Sequence, residues 1–215
     1  MNYSLIITAG GVGSRFKSEQ PKQFSLINNK PILQVSIEAF STFDIKQCII
    51  TSPEDYIDQT KKVIQSCNVP FPITCIAGGP SRAESVINAF NQLALCDAVL
   101  IHDAVRPFIS KDVIKRVLKQ IPKYDAVIPG VSVSDTIKIV SNDLVQETLD
   151  RRRLIAVQTP QAVNYKKYAE AIKIFSNKRE NLTDDASLIE LNGGSVNVVD
   201  GDINNIKITY LRDIV

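Results

Sequence analysis

Short apolar runs recur along the chain at residues 3–8, 47–51, 73–76, 98–102, 126–129 and 196–199, and most are rich in β-branched side chains. Gly, Pro, Asp or Ser bound them, so they read as strands buried on both faces. Between the runs, apolar residues return at helical spacing: Ile32, Leu33, Ile37 and Phe40; Val86, Ala89, Phe90 and Leu93; Val113, Ile114, Val117 and Leu118. These predict helices over residues 31–40, 81–95 and 111–120, and the same rule predicts two more over 165–175 and 184–191. Strands alternating with helices predict βαβ units. The expected fold is therefore α/β and Rossmann-like, a mostly parallel sheet with helices on both faces. In such sheets ligands bind beyond the carboxyl ends of the strands. Lys207, just after a Gly-Asp turn, is expected on a last strand.

One segment departs from the alternation. Residues 135–140 and 144–149 are strand-like and joined by Ser141-Asn142-Asp143, a hairpin signal with no helix after it. Such a hairpin either folds back on its own domain or projects as an arm. A projecting arm leaves Ile137, Ile139 and Val145 in need of a partner, which suggests a homodimer. The organisation expected is one domain over residues 1–215, with an arm at about 132–152 used for dimerisation.

Composition narrows the classes. With 44% hydrophobic and 22% charged residues in 215, disordered and fibrous chains are excluded and a sizeable core is available. A net charge of +2 gives no chain-wide attraction to nucleic acid or membrane, and neither is expected as a partner. Cys48, Cys67, Cys75 and Cys96 have neither C-x-x-C nor zinc-finger spacing. They read as small buried hydrophobes of a reducing compartment. The N-terminal residues resemble no signal sequence, so the cytoplasm is expected.

The first run ends in Ala9-Gly10-Gly11-Val12-Gly13-Ser14-Arg15, three glycines in four residues, with Pro21-Lys22-Gln23 after it. By itself a glycine-rich stretch is either a tight strand–helix turn or a cradle of N–H groups for an anion. Arg15 and Lys22 add charge. The dinucleotide fingerprint fails because its third glycine is replaced by Phe16, and no Gly-Lys-Ser/Thr of a Walker loop follows. Asp103 closes an apolar strand, where a carboxylate either caps the next turn or holds Mg²⁺ against phosphates. His102, the single histidine, reads as a packed residue with a local hydrogen bond or as a general base. Arg151, Arg152 and Arg153 form a basic run.

These segments resemble the nucleotidyltransferases that activate small phosphorylated metabolites. The match is with the 2-C-methyl-D-erythritol 4-phosphate cytidylyltransferase family. Besides the first loop, the resemblance rests on Gly78-Gly79-Pro80-Ser81-Arg82-Ala83-Glu84-Ser85-Val86, His102-Asp103-Ala104-Val105-Arg106-Pro107, Asp135-Thr136-Ile137-Lys138 and Asp150-Arg151. It continues through Thr159-Pro160-Gln161, Thr183-Asp184-Asp185-Ala186-Ser187 and Asn205-Ile206-Lys207-Ile208-Thr209, in family order over almost the whole chain.

The resemblance implies CTP and a small sugar-alcohol phosphate as substrates, with Mg²⁺ as cofactor. It implies catalysis by Arg15, Lys22 and Lys207. Nucleotide binding falls to Ala9, Gly10, Gly11, Gly13, Gly78, Gly79, Arg82, Ser85, Asp103 and Ala104, with Asp103 also the metal ligand. The second substrate falls to Arg106, Thr136, Lys138, Arg151, Thr159 and Thr183, and Arg106 is also expected to brace Asp103. Relatives of the family usually continue into a further helix beyond the segment that ends here at Val215. Two alternatives stay open: a ribitol 5-phosphate cytidylyltransferase, and a catalytically inactive nucleotide-binding domain.

Overall fold

Leu5, Ile7 and Leu100 pack into one hydrophobic cluster, while Ile6, Val99 and Ile101 pack into another. Alternate residues of one strand point to opposite faces, so a sheet whose strands are apolar throughout needs a layer of helices on each side. The computed structural model has this arrangement and describes residues 1–11, 20–175 and 183–214.

The chain runs β1 (Tyr3–Thr8), β2 (Leu26–Ile27), β3 (Lys30–Pro31), α1 (Ile32–Glu38), β4 (Ile45–Ser52), α2 (Ile57–Gln65), β5 (Ile73–Ala77), α3 (Arg82–Phe90), β6 (Ala98–Asp103) and α4 (Lys111–Gln120). It continues with β7 (Ala126–Ser132), β8 (Lys138–Ser141), β9 (Leu144–Thr148), β10 (Ile155–Val157), β11 (Gln161–Asn164), α5 (Tyr165–Phe175), α6 (Ala186–Leu191) and β12 (Val196–Asp200). Strands β6, β1, β4 and β5 are parallel neighbours in that order. Strand β11 runs antiparallel between β6 and β7, β10 is antiparallel to β7, and β12 is parallel to β7. Leu33, Ile37, Val63 and Ile114, from α1, α2 and α4, fill one face. Val86, Phe90, Tyr168 and Leu188, from α3, α5 and α6, fill the other.

The mostly parallel α/β sheet agrees with the reading from sequence, and α4 and α5 keep their expected bounds. Three features differ. Helix α2 was not expected, because it buries only Thr60 and Val63 and shows little apolar periodicity. Strands β10 and β11 were not expected either: each is short, and β11 is polar at both ends. Lys207 is not on a strand; residues 205–209 are irregular and follow β12.

Strands β8 and β9 form a separate two-stranded sheet in which every residue is exposed. Their turn has Asn142 at φ 49° and Asp143 at φ 63°. Asn and Asp tolerate this left-handed conformation, and two such residues match the right-handed twist of a hairpin. Ile139, Val140, Leu144 and Val145 remain open to solvent.

Leu100 is fully buried on the central strand β6, so Leu100→Ala is expected to cost about 2–5 kcal/mol through lost burial and a residual cavity. A urea titration checks this: the midpoint falls while the slope stays constant.

Candidate active site

The carboxyl ends of β1 and β6 bring Thr8 beside Asp103. Asp103 is 5% exposed, and a buried carboxylate is costly unless paired. Here it is paired three times. Arg82 donates from Nε to Oδ1 at 3.0 Å, Lys207 Nζ lies 2.9 Å from Oδ2, and Arg106 Nε lies 3.5 Å from Oδ2. Burial alone would raise the Asp103 pKa, but these cations outweigh it and hold the group well below the ordinary carboxylate range. Thr8 Oγ1 donates to Oδ1 at 3.4 Å.

Arg82 opens α3, whose preceding residue, Ser81, accepts from the Glu84 amide as an N-cap. Its guanidinium bridges two carboxylates, reaching Asp185 Oδ2 from Nη2 at 2.8 Å. Burial would weaken its charge, yet Asp185 and Asp103 more than compensate and raise its pKa. Burial leaves Asp185 raised, partly offset by Arg82.

Two clefts flank this cluster. The first, of about 430 Å³, is bounded by Gly10, Gly11, Lys22, Gly79, Ser85 and Thr209. Its charged lining residues are Lys22, Arg82, Lys207 and Asp103, so it is net positive. Lys22 donates from Nζ to the Ile208 carbonyl at 2.9 Å. Gln23, buried, donates to the Ala9 carbonyl at 2.8 Å and steadies the end of β1. At the floor, Ser85 Oγ accepts from the Gly79 amide at 2.9 Å. A Cβ on Gly79 would meet Glu84 Cβ at 2.6 Å, so only glycine fits there. The second cleft, of about 410 Å³, is bounded by Gln158, Thr159, Thr183, Asp184 and Glu190. It shares Arg82, Asp103 and Lys207 with the first. Arg106 joins it, giving three cationic and three acidic side chains.

The residues expected from sequence therefore divide into groups. Ala9, Gly10, Gly11, Lys22, Gly79, Arg82, Ser85, Asp103 and Lys207 line the first cleft. Arg106, Thr159 and Thr183 line the second. Gly78 and Ala104 line neither; Ala104 is fully buried, its carbonyl accepting from Ser36 Oγ at 2.7 Å. Thr136, Lys138 and Arg151 also line neither, because they belong to the arm and its root. There Lys138 donates to Thr148 Oγ1 at 2.8 Å, and Arg151 donates to the Ser134 carbonyl. Gly13 and Arg15 lie outside the described residues. Four polar side chains that organise the site were not expected as site residues: Gln158, Gln161, Asp185 and Asn205. Their signal was position, since each lies inside or beside a motif; three are amides, which carry no charge to draw attention, and Asp185 is a carboxylate whose partner, Arg82, lies 103 residues away in the chain.

The sequence profile described as 2-C-methyl-D-erythritol 4-phosphate cytidylyltransferase (IspD) matches residues 3–215. The chain belongs to this family. The family member of that name from Clostridium tetani is 39% identical over 212 residues, covering 98% of this chain and 86% of its own. The one from Thermosipho africanus is 33% identical over 213 residues, covering 97% and 93%. Among solved structures, the 4-diphosphocytidyl-2C-methyl-D-erythritol synthase of Anaerococcus prevotii superposes with a TM-score of 0.86 at 29% identity, over 99% of this chain and 94% of that one. The cytidylyltransferase of Francisella tularensis gives 0.83 at 29%, over 100% and 97%.

His102, part of a family motif, is fully buried against Phe40 and lines neither cleft. Burial lowers its pKa to about 4. Its Nε2 faces the Arg106 carbonyl at 3.2 Å and must carry the proton; its Nδ1 lies 3.0 Å from Thr159 Oγ1, which can donate to it. That same hydroxyl accepts from the Asp103 amide at 3.1 Å. The histidine is thus a neutral brace for Thr159 and the Arg106 loop rather than a base. In nitrogen-correlated NMR spectra it is expected to remain the Nε2–H tautomer from pH 8 to pH 5. The unfolded side chain protonates near 6.5 and the folded one only near 4. The unfolded chain therefore binds the extra proton in that window, and this contribution to stability is lost as pH falls through it.

Proposed function

We propose that this chain transfers the cytidylyl group of CTP to the phosphate of 2-C-methyl-D-erythritol 4-phosphate, releasing pyrophosphate and forming a CDP-linked methylerythritol in non-mevalonate isoprenoid precursor synthesis. The observation that carries the reading is the wall shared by the two clefts, Arg82, Asp103 and Lys207. A nucleoside triphosphate suits the net-positive cleft, and a polyhydroxylated monophosphate suits the cleft of balanced charge. The reaction requires their phosphates to meet. The methylerythritol substrate is favoured over ribitol 5-phosphate because the similar curated proteins carry the methylerythritol name.

A phosphate monoester is largely dianionic near neutral pH, so it needs no general base. One of its oxygens bonds to the α-phosphorus of CTP as the bond from that phosphorus to pyrophosphate breaks. The obstacle is repulsion between anions, which fixed cations offset as charge builds. Lys22 and Lys207 take that role, joined by Arg15. The backbone of Ala9, Gly10, Gly11 and Gly13 cradles the phosphates. Gly79 and Ser85 provide a floor small enough to favour a pyrimidine, with Gly78 packed close against the Ser85 hydroxyl. Arg82, engaged by two carboxylates, aligns Asp103. Arg106, Thr159 and Thr183 receive the sugar-alcohol phosphate.

Asp103 is the carboxylate that would hold Mg²⁺, sharing its charge with the Arg82, Arg106 and Lys207 cations already paired with it. No cluster of three or more metal-binding side chains occurs among the described residues, and Mg²⁺ is ordinarily content with one carboxylate, phosphate oxygens and water. Bound there, it would supply charge neutralisation of the triphosphate.

The exposed apolar hairpin supports a homodimer through the arm at about 132–152, the rest of the chain acting as one domain. Thr136, Lys138 and Arg151 would then serve the second cleft of the partner subunit, Arg151 gripping a phosphate with its planar fork. No helix among the described residues is long and apolar enough to cross a membrane, and the cysteines are free. Both observations suit a cytoplasmic enzyme.

Pyrophosphate release from CTP is expected with methylerythritol phosphate and to be far slower with ribitol 5-phosphate; absence of release with either would leave a binding domain only. Lys22→Ala should lower kcat by about 2.7–4 kcal/mol, as for removal of one preorganised donor. If turnover stays within a few-fold of the parent, Lys22 is not catalytic. Co-expressed Lys22→Ala and Arg151→Ala chains, each inactive alone, should regain activity in mixed dimers. No recovery would mean that each arm serves its own chain.

A further inference from the structure

Lys207 has a positional problem. Its side chain is 43% exposed, its segment is irregular, and a flexible lysine on an irregular backbone does not hold one geometry unaided. The segment's next backbone tie to the sheet side is the Ile208 amide on the Val105 carbonyl, at 2.9 Å. Two residues before Lys207 the environment is the opposite. Asn205 is fully buried and lines neither cleft. Its Nδ2 donates to the Thr159 carbonyl at 2.9 Å. Its own carbonyl accepts from Arg106 Nη1 at 2.8 Å and from Gln158 Nε2 at 3.4 Å. Both first-named partners also hold Asp103: Thr159 through the Asp103 amide, Arg106 through the carboxylate. Gln158 closes the other side, pairing with both the amide and the carbonyl of Asp202, at 3.1 and 2.8 Å, as a neighbouring strand would.

We infer that Asn205 is the positioning residue that fixes Lys207 against Asp103. It ties the irregular segment to the same two residues that orient the carboxylate. A lysine and its carboxylate anchored to common partners keep their spacing when either segment shifts, and a displacement on the order of 1 Å at such a site costs about 100-fold in rate. The side chain touches neither cleft, so it acts through what it anchors, and non-additivity with Lys207 separates that route from one through Thr159 or Arg106. The inference rests on the catalytic reading of Lys207 given above.

A double-mutant cycle tests it. Asn205→Ala, Lys207→Ala and the double variant are compared for kcat and for KM of CTP, with melting temperatures alongside. The expected result is an Asn205→Ala loss of about 10-fold to 100-fold in kcat, with KM changed by less than about threefold. On the Lys207→Ala background the same change should cost less than about twofold. An equal loss on both backgrounds, or an unchanged kcat in a folded Asn205→Ala chain, overturns the inference. If Lys207→Ala alone turns over within a few-fold of the parent, the catalytic reading of Lys207 is what fails, and that result is visible in the single variant. Should Asn205→Ala unfold, Gly201→Ala perturbs the same network from outside. Its Cβ would strike Gln158 Oε1 at 2.5 Å, and the same non-additivity with Lys207→Ala is then required.

Discussion

A carboxylate buried at the end of a central strand sets the terms for everything around it. Asp103 cannot stay ionised at 5% exposure without partners. The chain brings three, from the start of α3, from the loop after β6 and from the segment after β12. Those cations in turn would repel one another without the carboxylate between them. The arrangement is a charge cluster in which each member justifies the burial of the next. It extends through Arg82 to Asp185 at the head of α6, so two helices of one layer, α3 and α6, are tied to one point.

That point divides the surface depression into two chambers with different electrostatics. On one side the cations exceed the anions, on the other they balance. The two chambers meet at a single partition, Arg82, Asp103 and Lys207, that both of them share. The supporting groups are neutral and dry. His102 and Thr159 pass hydrogen bonds along the back of the partition without holding a charge of their own, which leaves the field at the front to the cations and Asp103.

Much of this was legible in the residues. Val99, Leu100 and Ile101 have no polar face, so a strand buried on both sides followed directly, and Asp103 at its end stood out as a charge where charge is costly. Asn142-Asp143 marked the hairpin turn because few residues tolerate the left-handed conformation. What could not be read was what long-range packing alone decides. Strand β11 is Gln161-Ala162-Val163-Asn164, too short and too polar to announce itself, and it exists because β6 and β7 both offer it a ladder. Lys207 was expected on a strand because it follows the Gly201-Asp202 turn. The segment is irregular instead, its backbone carbonyls engaged by the side chains of Arg106, Lys22 and Gln158. Ala104 belongs to a motif and sits next to Asp103, yet its small side chain is turned into the core. Proximity in sequence did not give it access.

The contact between Lys22 and the Ile208 carbonyl joins residues 186 positions apart. Chain emerging from a ribosome can assemble β1, β4, β5 and β6 long before that carbonyl exists. The phosphate-handling end of the sheet therefore acquires its far wall only after nearly all of the chain has been made. An incomplete product could carry a sheet and a core, yet the two lysines flanking the cleft would have nothing to define their separation. Competence comes last, and it comes to the whole cleft at once.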